Sequence, residues 1–198
     1  NGIIRSRSEY LGRLYPVLFT PDDLSIVKGA PQERRNFFDD QIAKVSPVYE
    51  YELSRYHQIV RQRNQLLRTY REKILGSPEL ESWNDQLTGQ GAKVLARRQF
   101  ALRRIALLAR LAHRRLTGGA ENLELSYKGS VRPETELSVP AIKQLLLEAV
   151  KEKSLQEARM GQTVVGPHRD DVFLSINGMD ARLFASQGQQ RTLILALK

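Results

Sequence analysis

Between Pro47 and Leu75 the apolar and aromatic residues fall at Val48, Leu53, Tyr56, Ile59, Val60, Leu66, Leu67, Tyr70 and Ile74. Intervals of three and four place them on one stripe of a long amphipathic helix. Gly76-Ser77-Pro78 breaks the pattern, and a second run follows at Leu80, Trp83, Leu87, Val94, Leu95, Leu102, Ile105, Leu108, Ala112 and Leu116. Gly118-Gly119 ends it. So short a break between two long helices predicts an antiparallel hairpin. Its arms would be about 45 and 60 Å long at 1.5 Å per residue. The second is expected to bend or break near Gly89-Gln90-Gly91.

The flanks read differently. Leu14 to Phe19 has the look of a short buried strand, and Thr20-Pro21-Asp22-Asp23 that of a helix start, with Thr20 as cap. Gly29 closes that turn, and Pro31 opens a helix that Ser46-Pro47 interrupts. After the hairpin, Leu123 to Lys128 alternates like a strand, and Ser138 caps a helix running to about Arg159 and stopped by Gly161. Thr163-Val164-Val165 reads as a short strand. Val172 to Asn177 and Met179 to Phe184 read as two strands joined through Asn177-Gly178. A last helix begins at Ser186 or Gln187. The expected class is α+β, with the edge of the body in residues 1–30, a helical arm over 31–120, and a return to the body over 121–198.

The chain has 198 residues, 41% of them hydrophobic, and no cysteine, which excludes disulfides, thiol nucleophiles and cysteine-zinc sites. No apolar run is long enough to span a membrane. The start at Asn1-Gly2-Ile3 suggests a hairpin turn, and both ends read as those of an excised segment. Charge sharpens the picture. Residues 53–116 hold 14 Lys+Arg against 4 Asp+Glu, while the rest of the chain holds 17 against 18. A positive field so concentrated attracts phosphate backbones. The candidates for DNA contact are Arg61, Arg63, Arg68, Arg97, Arg98, Arg103, Arg104, Arg114 and Arg115, which by spacing lie mostly off the apolar stripe. A merely solvated helix surface is the alternative.

Three short stretches bear on chemistry. Gly161 to Gly166 has the glycine spacing of a phosphate loop, but Pro167-His168 stands where Lys and Ser or Thr are needed, so no nucleotide loop is expected there. His168, Arg169, Asp170 and Asp171 could serve a metal or a phosphate, or form a structural turn whose acids are paired. Ser186 with Gln189 is a capping box. The box leaves Gly188 unexplained in the first turn, where a missing Cβ lets another molecule approach the amides of a helix N-terminus.

Gly166-Pro-His-Arg-Asp-Asp171, followed by Ser186-Gln-Gly-Gln-Gln-Arg-Thr192 and an apolar helix, resembles the RecF family of bacterial DNA repair ATPases. The segments VLFTPDDLSIVKGAPQERRNFFD (17–39), RYHQIVRQRNQLLR (55–68) and WNDQLTGQGAKVLARR (83–98) fit it in order, so the likeness covers nearly the whole chain. The resemblance implies a helical-hairpin arm inserted in part of an ABC-type ATPase head. Ser186, Gln187, Gly188, Gln189, Gln190 and Arg191 would be the signature that completes a partner subunit's ATP site in trans. The Walker A and Walker B elements would lie before Asn1 and after Lys198, so no turnover is expected from these residues alone. Asp22 and Asp23 fall where related ATPases have a loop coupling nucleotide state to the second lobe, although helix capping also accounts for them. The resemblance further implies ATP and Mg2+ as cofactors, an ATP-dependent homodimer, a cytoplasmic location, and binding to duplex or gapped DNA with RecO and RecR to help RecA load. A second reading makes the basic hairpin a docking module for an acidic protein partner.

Overall fold

The computed structural model describes residues 18–131 and 138–198. A 3-10 turn (Pro21–Leu24) and a single helical turn, α1 (Ser25–Lys28), lead to α2 (Pro31–Val45), α3 (Pro47–Tyr70) and a second 3-10 turn (Arg71–Ile74). Next come α4 (Pro78–Leu116), β1 (Leu123–Lys128), α5 (Val139–Met160), β2 (Asp171–Ile176) and β3 (Met179–Asp180). The described chain closes with a turn of helix, α6 (Ala181–Phe184), and α7 (Gln187–Leu197).

Each long helix starts as its sequence requires. Ser46 Oγ accepts from the Tyr49 amide at 3.3 Å, Ser77 Oγ from Leu80 at 3.2 Å and Ser138 Oγ from Ala141 at 3.4 Å. Proline follows each cap within two residues, where its missing N–H costs nothing. Gly161 ends α5 in the left-handed region, at φ 67°. Asn177 and Gly178 take φ 51° and 79° to close the hairpin between β2 and β3.

Helix α3 and the first half of α4 form the expected antiparallel pair, but α5 packs along both, so this helical layer has three members and draws on residues beyond 120. Tyr49, Tyr56, Leu87, Leu95, Ile142 and Leu146 fill the space between them. The second half of α4 leaves this layer and packs on the sheet and α7, through Leu102, Ala109, Leu123, Leu174, Leu193 and Ile194. One 39-residue helix therefore belongs to both cores. The sheet is antiparallel in the order β1-β2-β3, with Leu123 opposite Ile176 and Lys128 opposite Asp171.

Several expectations are corrected. Helix α4 does not break at Gly89-Gln90-Gly91. A Cβ at Gly91 would lie 3.2 Å from Tyr56 Cε2 and 3.4 Å from Leu146 Cδ1, so this glycine admits two neighbouring helices rather than ending its own. Thr163 to Val165 is not a strand: the Thr163 amide and hydroxyl donate to Asn64 Oδ1 at 2.6 and 2.8 Å, a side chain taking the place of a ladder. Beyond Asp180 the expected strand becomes α6, with Asp180 Oδ1 accepting from the Arg182 amide at 2.8 Å. Val48, Tyr70, Leu108 and Leu116 lie on the exposed side of their helices. The expected strand from Leu14 falls mainly outside the described residues, as does the turn at Asn1-Gly2, and residues 18–20 have no regular structure.

Candidate nucleotide and nucleic-acid surfaces

Ser186 and Gln189 close a reciprocal cap at the entrance of α7. The serine Oγ accepts from the Gln189 amide at 3.2 Å, and Gln189 Oε1 accepts from the Ser186 amide at 2.8 Å. Helix geometry leaves the amides of Gln187 and Gly188 without an intrahelical acceptor. Ser186, Gln187, Gly188 and Arg191 are exposed. Among the described residues a Cβ on Gly188 would meet only Ser186 Oγ, at 3.9 Å, and none of them requires glycine there.

The other glutamines differ. Gln190 is 3% exposed, and its Nε2 donates to the Ala185 carbonyl at 2.8 Å, which corrects the expectation that it lines the open surface. Gln189 is half-buried and also donates from Nε2 to Glu121 Oε1 at 2.9 Å. Glu121 and His113, beside it, carried no motif or periodic signal and were missed in the sequence.

The motif at 166–171 is a structural junction. Gly166 has φ 121°, and a Cβ there would run into the Tyr56 hydroxyl. His168 Nε2 faces the Thr163 carbonyl at 3.1 Å and Nδ1 faces Tyr56 Oη at 2.7 Å, so the neutral ring donates from Nε2 and accepts at Nδ1. Burial pushes its pKa down to about 4, against the hydrogen bond to Thr163. Arg169 donates to the same carbonyl at 3.0 Å. Asp170 accepts from the Tyr127 hydroxyl at 2.6 Å and from the Ser130 amide and hydroxyl, both at 2.7 Å; burial raises its pKa. Asp171 pairs with both Arg34 Nε and Nη2 at 2.8 Å. These four side chains are all engaged with protein partners, as a structural turn requires.

Asp23 accepts from the Thr20 amide at 2.6 Å and pairs with Lys198 Nζ at 2.6 Å, so capping accounts for it; Asp22 is exposed.

The arginines divide. Arg63 is 1% exposed and donates to Glu157 at 2.6 Å, Thr163 at 2.8 Å and Asn84 at 2.9 Å. Arg98 is 2% exposed and donates to Asp39 at 2.9 and 3.0 Å, to Tyr49 at 3.1 Å and to the Pro167 carbonyl at 2.7 Å. Both are corrected from surface candidates to internal ties, because no phosphate reaches a guanidinium so enclosed. Their spacing held the signal: Arg63 lies between Val60 and Leu66, and Arg98 between Leu95 and Leu102, on the apolar stripe itself. Arg97 is half-exposed and pairs with Glu52 at 2.6 Å. Arg61, Arg68, Arg103, Arg104, Arg114 and Arg115 are exposed.

An open groove of about 740 Å³ lies between the end of α2, the start of α3 and the middle of α4, lined by Ile42, Phe100 and Ile105 together with Lys93, Arg97 and Arg104. Among the described residues no helix is long and apolar enough to cross a membrane.

No family model matches the chain. The DNA replication and repair protein RecF of Alkaliphilus oremlandii is 42% identical over 190 residues, covering 96% of this chain and 51% of that protein. RecF of Desulforamulus reducens is 44% identical over 198 residues, covering 100% of this chain and 53% of its own length. The solved structure of the recombination mediator protein RecF-ATP in the RecFOR pathway superposes with a TM-score of 0.86 at 30% identity, over 98% of this chain and 52% of that one. The chain thus spans about half the length of the relatives it matches, and over that span it belongs to the RecF family.

Proposed function

We propose that this chain supplies a recombination mediator of the RecF type with one half of a composite ATP site and with a basic helical face for DNA. The observation that carries the reading is the entrance of α7: an exposed helix start with a serine, two uncapped amides and a glycine that no neighbour requires. Ser186 Oγ spends a lone pair on the cap but keeps its proton, which can be donated to a phosphate oxygen. The Gln187 and Gly188 amides and the helix dipole add positive potential at the same spot. ATP supplies the anion, held on a partner subunit. These donors then meet the γ-phosphate only across a dimer, and hydrolysis, by removing it, loosens the pair.

No cluster of three or more His, Asp or Glu side chains that could hold a metal occurs among the described residues. In the same reading the sheet and α7 form the signature-bearing side of an ABC-type head, and α3 to α5 its arm. DNA is held through phosphates by Arg61, Arg68, Arg97, Arg103, Arg104, Arg114 and Arg115, without base readout. RecO and RecR as partners are supported by the RecFOR pathway in which the solved relative acts, and help in loading RecA is the role this reading gives the assembly.

The groove at Ile42, Phe100 and Ile105 favours a second role alongside the first, docking of a protein segment whose acids face Lys93 and Arg104.

The test is Ser186→Arg in a full-length RecF protein carrying this segment. ATP-dependent dimerisation, followed by sedimentation, is expected to vanish while the monomer stays folded. An unaffected dimer would overturn the signature assignment.

A further inference from the structure

Glu121 sits in the link between α4 and β1, outside every motif, yet it touches the cap of α7. Its Oε1 accepts from Gln189 Nε2 at 2.9 Å, and the same amide presents Oε1 to the Ser186 N–H at 2.8 Å. A carboxylate can only accept, so it selects which end of the Gln189 amide faces it. With Nε2 held toward Glu121, Oε1 is directed at Ser186. Released, that amide is free to turn, and the Ser186 N–H loses its partner.

The link itself is pinned. The Asn122 amide donates to Asn177 Oδ1 at 2.8 Å, and the Asn177 amide returns a bond to the Asn122 carbonyl at 2.9 Å. Glu121 is therefore presented from a backbone tied to the hairpin between β2 and β3. Its other oxygen, Oε2, is buried without a hydrogen-bond partner, 3.5 Å from Nε2 of the fully buried His113 at the end of α4. The ring backs the carboxylate and restricts its rotation.

We propose that Glu121, backed by His113, is a positioning residue for the signature turn: it orients Gln189 so that Ser186 and the amides after it face the partner's nucleotide. This rests on the reading of the α7 entrance as a nucleotide contact in trans. It adds that the end of the long helix and the link after it set the geometry of that contact.

The experiment uses a full-length RecF protein carrying this segment, with ATP as the probe. Dimerisation at saturating ATP, nucleotide binding by the dilute monomer, and thermal melting are each measured. Gln189→Glu sets two carboxylates against each other and is expected to weaken the dimer about tenfold, without changing nucleotide binding by the monomer. Adding Glu121→Gln restores an amide facing a carboxylate, with its direction reversed, and is expected to recover most of the loss. A Gln189→Glu dimer as strong as wild type, or a double variant no stronger than the single, would overturn the proposal. Ser186→Arg in the same assay separates the two ideas. If it abolishes the dimer while the Gln189 variants have no effect, only the role of Glu121 fails; if it too leaves the dimer intact, the nucleotide reading fails first.

Discussion

Arg98 Nη2 lies 2.9 Å from Asp39 Oδ2 in the interior of the protein, joining α4 to α2 across 59 residues of chain. The same guanidinium donates to the Pro167 carbonyl, so one side chain fastens two helices and the 166–171 turn. Breaking a buried pair from one side leaves a charge stranded, which costs about 3–5 kcal/mol. Arg98→Ala is expected to lower the unfolding free energy by that much, read in urea as a lower midpoint at an unaltered slope. Arg98→Lys recovers little of it, because a single ammonium cannot reproduce the fork. A loss under about 1 kcal/mol would contradict the role assigned to this tie.

The surface arginines behave in the opposite way. Arg114→Glu with Arg115→Glu is expected to leave thermal stability nearly unchanged while weakening DNA binding, with the salt-dependence slope reduced by about two. Fluorescence anisotropy on duplex DNA over a salt series checks this. Affinity indifferent to both salt and charge reversal would remove the DNA face from the account.

Protonation of His168 opposes folding. Its pKa is held near 4 by burial, below the ordinary 6.5, so the unfolded chain binds more protons between those values. Stability is complete above about pH 6.5 and is lost as pH falls toward 4, by up to about 3 kcal/mol from this group. Asp170, whose pKa burial raises, works the other way in both wild type and variant. Melting curves of His168→Gln against wild type isolate the histidine: the variant should lose less stability over this range, and parallel curves would refute the prediction.

Gly91→Leu should destabilise by about 1–3 kcal/mol through overpacking, since even a Cβ there lies 3.2 Å from Tyr56. Gly188→Ala should do the reverse of a core change. Its stability moves by less than about 1 kcal/mol, because a Cβ meets only Ser186 Oγ, but its ATP-dependent dimer weakens. Melting and sedimentation of the two variants side by side distinguish a packing glycine from a contact glycine.

Local punctuation was legible in the chain. Ser46-Pro47, Ser77-Pro78, Gly161 and Asn177-Gly178 mark the ends of elements where the structure has them, because each acts through its own backbone. The capping box at Ser186 was legible for the same reason. Long-range pairing was not. Arg63 and Arg98 stood on the apolar stripe, but Glu157 and Asp39, the acids that make burial tolerable, lie 94 and 59 residues away. Thr163 to Val165 had strand composition, but side chains such as Asn64 and Glu157 take its amides and hold it as a loop. The packing of α5 on α3 and α4 could not be assigned from sequence, since an apolar stripe does not name the face that covers it.

The central claim is that the α7 entrance acts on a nucleotide held by another subunit. It is tested most directly by mixing two inactive full-length proteins, one with Ser186→Arg and one with its phosphate-loop lysine replaced, and measuring ATP-dependent dimerisation and hydrolysis of the mixture. If the contact is in trans, the mixed dimer contains one intact site, and activity inactive in either protein alone reappears. If the mixture stays as inactive as its components, the serine serves its own subunit's site or none, and the account is contradicted.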